Sequence, residues 1–203
     1  AAVADISADG AVTFGAAKAG LLTISADIVT SDDNITFTNA VTLGANVEID
    51  TTGGTEGNIL FSSTVATGAN NLTLDAGTAG NVTIVGAVSG GGNMTVRDGA
   101  VQSYGALTVD ALSINDATTS VTLGGAVAAA TTIVINAQTG SISQNGAITS
   151  ATNVDLDAGA TIDLSAAISG VSGTLAVDAT GLTTVAAVAD ISADGAVTFG
   201  AAK

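Results

Sequence analysis

The sequence contains no cysteine, histidine, proline or tryptophan, and each absence removes a class of explanation. Without cysteine there is no disulfide framework and no thiolate metal site. Without histidine the commonest general base and the commonest transition-metal ligand are missing. Aromatic residues make up 2% of the chain, namely Phe14, Phe37, Phe61, Tyr104 and Phe199. The interior must therefore be filled by small and branched aliphatics, and it must be narrow. Positive charge is scarce too: Lys18, Arg97 and Lys203 stand against 18 acidic residues, for a formal net charge of −15. Three scattered cations form no basic patch, which argues against nucleic acid as a partner, and an anionic membrane surface repels such a chain. No apolar run reaches the roughly 18 residues of a membrane-spanning helix. The first residues lack the basic and apolar regions of a signal peptide, so any export signal is expected outside this segment.

What the chain has in abundance is repetition. Residues 1–18, AAVADISADGAVTFGAAK, recur unchanged as residues 186–203, an offset of 186 − 1 = 185. Eighteen identities in a row mark a duplication. The chain therefore reads as one long repeat, residues 1–185, followed by the start of the next identical repeat, residues 186–203. Inside it runs a shorter, degenerate unit: a β-run, a small-residue turn and a second valine or isoleucine. Examples are ITFTNAV (35–41), ILFSSTV (59–65), VTIVGAV (82–88), VTLGGAV (121–127), ISQNGAI (142–148) and IDLSAAI (162–168). With Val12, Val101, Leu182 and Val197 these runs begin 23, 24, 23, 19, 20, 21, 20, 20 and 15 residues apart.

A second class of short strand lies between them: LTIS (22–25), VEID (47–50), LTLD (72–75), MTVR (94–97), LTVD (107–110), IVIN (133–136), VDLD (154–157) and LAVD (175–178). Each alternates apolar with polar or small residues, the period of a half-buried strand. Gly57-Asn58, Gly80-Asn81 and Gly92-Asn93 flank them, and residues of these types supply the positive φ of sharp corners. No helical period is sustained. An array of immunoglobulin-like sandwiches calls for repeats near 100 residues, a core aromatic and loop prolines, which this chain lacks. The expected fold is all-β: a right-handed parallel β-helix with about 20 residues per coil and roughly nine coils per 185-residue repeat.

The phrases NITFTNAVTLGANVEID (34–50), NLTLDAGTAGNVTIVGAV (71–88) and VTLGGAV (121–127) resemble filamentous-haemagglutinin-type repeats, especially those of giant tandem-repeat bacterial exoproteins. The resemblance is one of pattern and composition and covers essentially the whole chain. It implies a right-handed β-helix, export across an outer membrane, and a role in adhesion, aggregation or fibre formation. The expected function is then a non-catalytic structural repeat of an extracellular or cell-surface fibre, setting its length and stiffness. The alternative is an adhesive module that recognises carbohydrate or a neighbouring cell surface. The expected partners are copies of the chain itself, stacked end to end in one chain or between subunits.

Candidate chemistry is sparse. Asp75, Asp110, Asp157 and Asp178 end what read as equivalent strands, so that Asp157 and Asp178 in neighbouring coils are candidates to share a Ca²⁺ ion. Asp32 and Asp33, followed by Asn34, form a second Ca²⁺ candidate. Against both stands a plain solvated acidic edge with like-charge crowding. Asn34, Asn71, Asn81 and Asn93 each head an N-x-T triplet and are candidate glycosylation acceptors, or simply corner residues. Thr13, Thr36, Thr83 and Thr122 are expected to point outward on one face. Arg97 and Asp98 are expected to form a local surface pair, and Tyr104 marks an irregular stretch, 97–106. No residue is assigned a catalytic or cofactor-binding role, because neither histidine nor cysteine accompanies the serines and aspartates.

Overall fold

A computed structural model describes residues 5–15 and 20–200 and contains only strands, turns and bends among them. Among the described residues, twenty-eight strands of three to six residues follow one another. The chain visits three sheets in strict rotation, here called A, B and C, with ten, nine and nine strands among the described residues. One coil illustrates the plan: Ile28–Thr30 lies in sheet A, Ile35–Phe37 in sheet B and Val41–Leu43 in sheet C, before Val47–Asp50 returns to sheet A. Every pairing is parallel, between a strand and its counterpart one coil away. The molecule is thus a parallel β-solenoid of about nine coils with three faces.

The sequence reading supplied two strands per coil; the structure adds the third. Its strands are built on the valine or isoleucine that closes each short run, as in Val65–Gly68, Val88–Gly90 and Val127–Ala129. Three of the chain's strands also sit elsewhere than their sequence class suggests. Leu22–Ile24 and Leu107–Val109 belong to sheet C, whereas most of their sequence look-alikes belong to sheet A. Val197–Gly200 lies in sheet A and not in the series begun by Val12, which runs through sheet B. Coil membership is set by counting strands from a neighbour, and a three-residue segment carries no mark of its face.

Stacking like upon like builds the core. Leu22, Val41, Val65, Val88, Leu107, Val127, Ile148, Ile168 and Ile191 lie in register down sheet C. Ile28, Ile49, Leu74, Val96, Ile114, Ile135, Leu156 and Val177 do the same in sheet A. Sheet B contributes an aromatic stack: the Phe14 and Phe37 rings are 5.0 Å apart and those of Phe37 and Phe61 4.4 Å, nearly parallel in both pairs. No coil alone encloses these side chains; each is covered by the coils on either side, so stability is a sum of neighbour contacts.

Further along sheet B the stack passes to Ile84 and Tyr104. The run at 101–104 is placed one residue off the sequence reading. Val101 is exposed, whereas Gln102 and Tyr104 face inward, in register with Val82 and Ile84. A one-residue change of register exchanges the two faces of a strand, and burying the tyrosine ring decides the matter here. The Tyr104 hydroxyl donates to Gln102 Oε1 at 2.7 Å, and Gln102 Nε2 donates to the Gly99 carbonyl at 3.2 Å. The buried polar groups are thereby paired, as burial requires.

Candidate functional site

The corners carry the most regular surface chemistry. Asn34 Oδ1 accepts from the backbone N–H of Asn58 at 2.7 Å, Asn58 Oδ1 from that of Asn81 at 2.8 Å, and Asn81 Oδ1 from that of Val101 at 3.0 Å. A parallel ladder runs from Asn46 to Asn71 and from Asn71 to Asn93, each step 2.9 Å. Of the four N-x-T asparagines, Asn34, Asn71 and Asn81 therefore spend their carbonyl oxygens on tying one coil to the next. Asn93 is exposed and receives the ladder through its backbone N–H. The adjoining glycines serve a different end from the one expected. Positive-φ glycines are Gly68, Gly77, Gly90 and Gly170, which do not include Gly57, Gly80 or Gly92. A Cβ at Gly92 would fall 1.7 Å from the Asn70 carbonyl oxygen, and one at Gly80 2.2 Å from that of Gly57. Glycine is needed there because the coils approach closely, not because the corner turns left-handed.

Acidic side chains brace corners in a similar way. Asp32, at φ 107°, directs Oδ1 under the turn of the following coil, where the Gly54 and Thr55 N–H groups donate to it. The Asp33 backbone carbonyl accepts from Thr30 Oγ1 at 2.6 Å. Glu56 accepts from the Ala79 N–H at 2.5 Å, with its carboxylate lying where a side chain at Gly77 would have to go. Asp157 and Asp178 are direct neighbours in register on sheet A, as the strand-end reading expects. Asp110 is not their equivalent, because it follows a strand of sheet C. No group of three or more acidic side chains is arranged to hold a metal ion among the described residues.

Two charge clusters lie outside the candidates drawn from the sequence. Arg97 forms an ion pair with Glu48, two coils away, and not with Asp98. Asp98 and Asp116 instead sit side by side, each with one buried carboxyl oxygen lacking a partner. Burial raises the Asp98 carboxyl above its ordinary value, reinforced by the charges of Asp116 and Glu56 and by a hydrogen bond to Asp116. Burial also raises Asp116, which the hydrogen bond from Asp98 partly offsets. Asp75 is raised by burial as well, against the backbone N–H of Gly77. Residues distant in sequence but one or two coils apart in space meet here, and no local motif announces them.

Thr13, Thr36, Thr83 and Thr122 do share one outward row of sheet B, but Leu60 and Ser103 interrupt it. A shallow, mainly polar depression on sheet A is lined by Asp27, Asn46, Glu48, Asn71 and Thr73. Both of its carboxylates and both of its asparagine oxygens are already engaged: Asp27 Oδ1 accepts from the Glu48 N–H at 2.7 Å, Glu48 holds Arg97, and Asn46 and Asn71 accept from the next coil. The chemistry on offer is that of hydrogen bonds between coils. No protein-family model, curated protein or solved structure matches the chain.

Proposed function

We propose that the chain is a non-catalytic structural repeat of an extracellular or cell-surface fibre, whose coils set the length and stiffness of that fibre. The observation that carries this reading is the union of an 18-residue recurrence at a spacing of 185 with coil-on-coil stacking through all three sheets among the described residues. A solenoid lengthens without limit by neighbour addition, and a duplicated repeat is the simplest way to lengthen it. Two further features support it. Corner side chains such as Asn34, Asn46, Asn58, Asp32 and Glu56 are committed to joining coils. The strongly negative surface keeps such rods from adhering side by side.

Electron microscopy of native material tests the reading. A thin rod with an axial period near 42 Å, from coils about 4.8 Å apart, is the expected result. Discrete beads, or filaments with no such period, would refute it.

A further inference from the structure

The identical 18-residue segments do not occupy identical places in the solenoid. In the first copy Ile6–Ala8 lies in sheet A and Val12–Phe14 in sheet B. In the second copy the same residues, Ile191–Ala193 and Val197–Gly200, lie in sheet C and sheet A. Each element has moved back by one face. Phe14 opens the aromatic stack of sheet B, whereas its copy Phe199 tops the aliphatic column of sheet A, in register with Val177.

Ile6 stands in the first described strand and its copy Ile191 in the twenty-seventh. The offset is 27 − 1 = 26 strands, and at three strands per coil this is eight and two-thirds coils. The short step from Leu182 to Val197, 15 residues where the others are 19 to 24, is the trace of this in the sequence. Fifteen residues cannot close a coil; they carry the chain from sheet B through sheet C to sheet A.

We infer that, in a tandem array, each 185-residue repeat is turned by one face of the solenoid relative to the one before it. This rests on the fibre reading above. Any feature of the repeat then appears on the three faces in succession, and three repeats, or 26 coils spanning roughly 125 Å, restore the starting face. The Glu48–Arg97 pair and the asparagine ladders wind around the rod, in addition to any continuous twist of the stack. Such a rod has no distinct front and back. Its surface chemistry is offered equally to neighbours on all sides.

The absence of native cysteine allows a direct test in the 203-residue chain. Ala176 and Thr198 face outward in register on sheet A, at a separation between parallel neighbours that suits a disulfide. Ala176→Cys with Thr198→Cys is expected to oxidise to an intramolecular disulfide, read as a mass loss of two hydrogens. A pair known to be in register, Thr73→Cys with Thr95→Cys, sets the expected extent. Thr184→Cys with Thr198→Cys should stay reduced, because Thr184 lies in sheet B. Bonding of that pair, or failure of the 176–198 pair where the 73–95 pair bonds, overturns the one-face offset. A missing 42 Å period in native fibres would instead refute the array while leaving the 176–198 bond intact.

Discussion

Truncating Phe37 to alanine should be among the most damaging single changes in the chain. The ring is fully buried and lies between two others, 5.0 Å from Phe14 and 4.4 Å from Phe61. Removing a buried phenylalanine side chain costs about 3–5 kcal/mol through lost transfer energy and the cavity left behind. Part of this is specific to the stack, since each aromatic contact contributes about 0.5–1.5 kcal/mol beyond area. The cavity cannot close by collapse, because hydrogen bonds such as Ser62 N–H to the Phe37 carbonyl at 2.8 Å hold the coils at fixed spacing. Phe14→Ala, at a half-buried ring with one stacked partner, should cost distinctly less. Urea unfolding followed by circular dichroism measures both, and hydrogen exchange locates the loss, which is expected in the strands around residues 12–14, 35–37 and 59–61. A double-mutant cycle of Phe37→Ala with Phe61→Ala should show a coupling of about 0.5–1.5 kcal/mol. A cost for Phe37→Ala below about 1 kcal/mol, or equal to that of Phe14→Ala, would show that the column is not packed as described.

Three other outcomes are expected. Asp98 titrates above its usual value of 3.8 in the folded chain, so the fold favours its protonated form, and that contribution is lost as pH rises from 3.8 through the raised value. Asp98→Asn should therefore be more stable than the parent at pH 7, and the advantage should vanish below about pH 4; a pH-independent difference in urea midpoint would contradict the assignment. Gly146→Ala places a Cβ 1.8 Å from the Gly125 carbonyl oxygen, a backbone atom of the adjoining coil, and should destabilise by more than about 3 kcal/mol. Thermal melts comparing it with Gly10→Ala, where nothing lies within 4 Å, check this. Arg97→Ala removes an exposed ion pair and should change stability by no more than about 1 kcal/mol; a larger loss in the same unfolding assay would mean that the pair clamps the coils together.

How far the sequence discloses this architecture depends on strand length. Four-residue runs such as Val47–Asp50 and Leu72–Asp75 show enough alternation to be read as strands, and the spacing between runs gives the coil. The third face is hard to see because its strands offer only one or two inward residues, as in Val88–Gly90, followed by glycine or alanine. Face identity is not encoded locally at all: Leu107–Val109 looks like the sheet A strands yet belongs to sheet C. The candidate site fares less well. The Glu48–Arg97 pair spans two coils, and the Asp98–Asp116 pair depends on how two corners stack, so both need a register that only the folded coil supplies. Gln102 and Tyr104 were legible in principle, since an inward tyrosine calls for a polar partner, but the apolar Val101 beside them suggested the opposite phase.

That one stretch of sequence is accommodated on two different pairs of faces has a consequence for how a gene of this kind can grow. If every face demanded its own residues, only a duplication of whole coils, some 20 codons or a multiple, would preserve the reading of the structure. Because the faces are interchangeable, a crossover need only respect the boundary of a single strand. Permissible lengths of inserted DNA become three times as numerous. Unequal recombination can then lengthen or shorten the coding sequence in small steps, and each product still stacks.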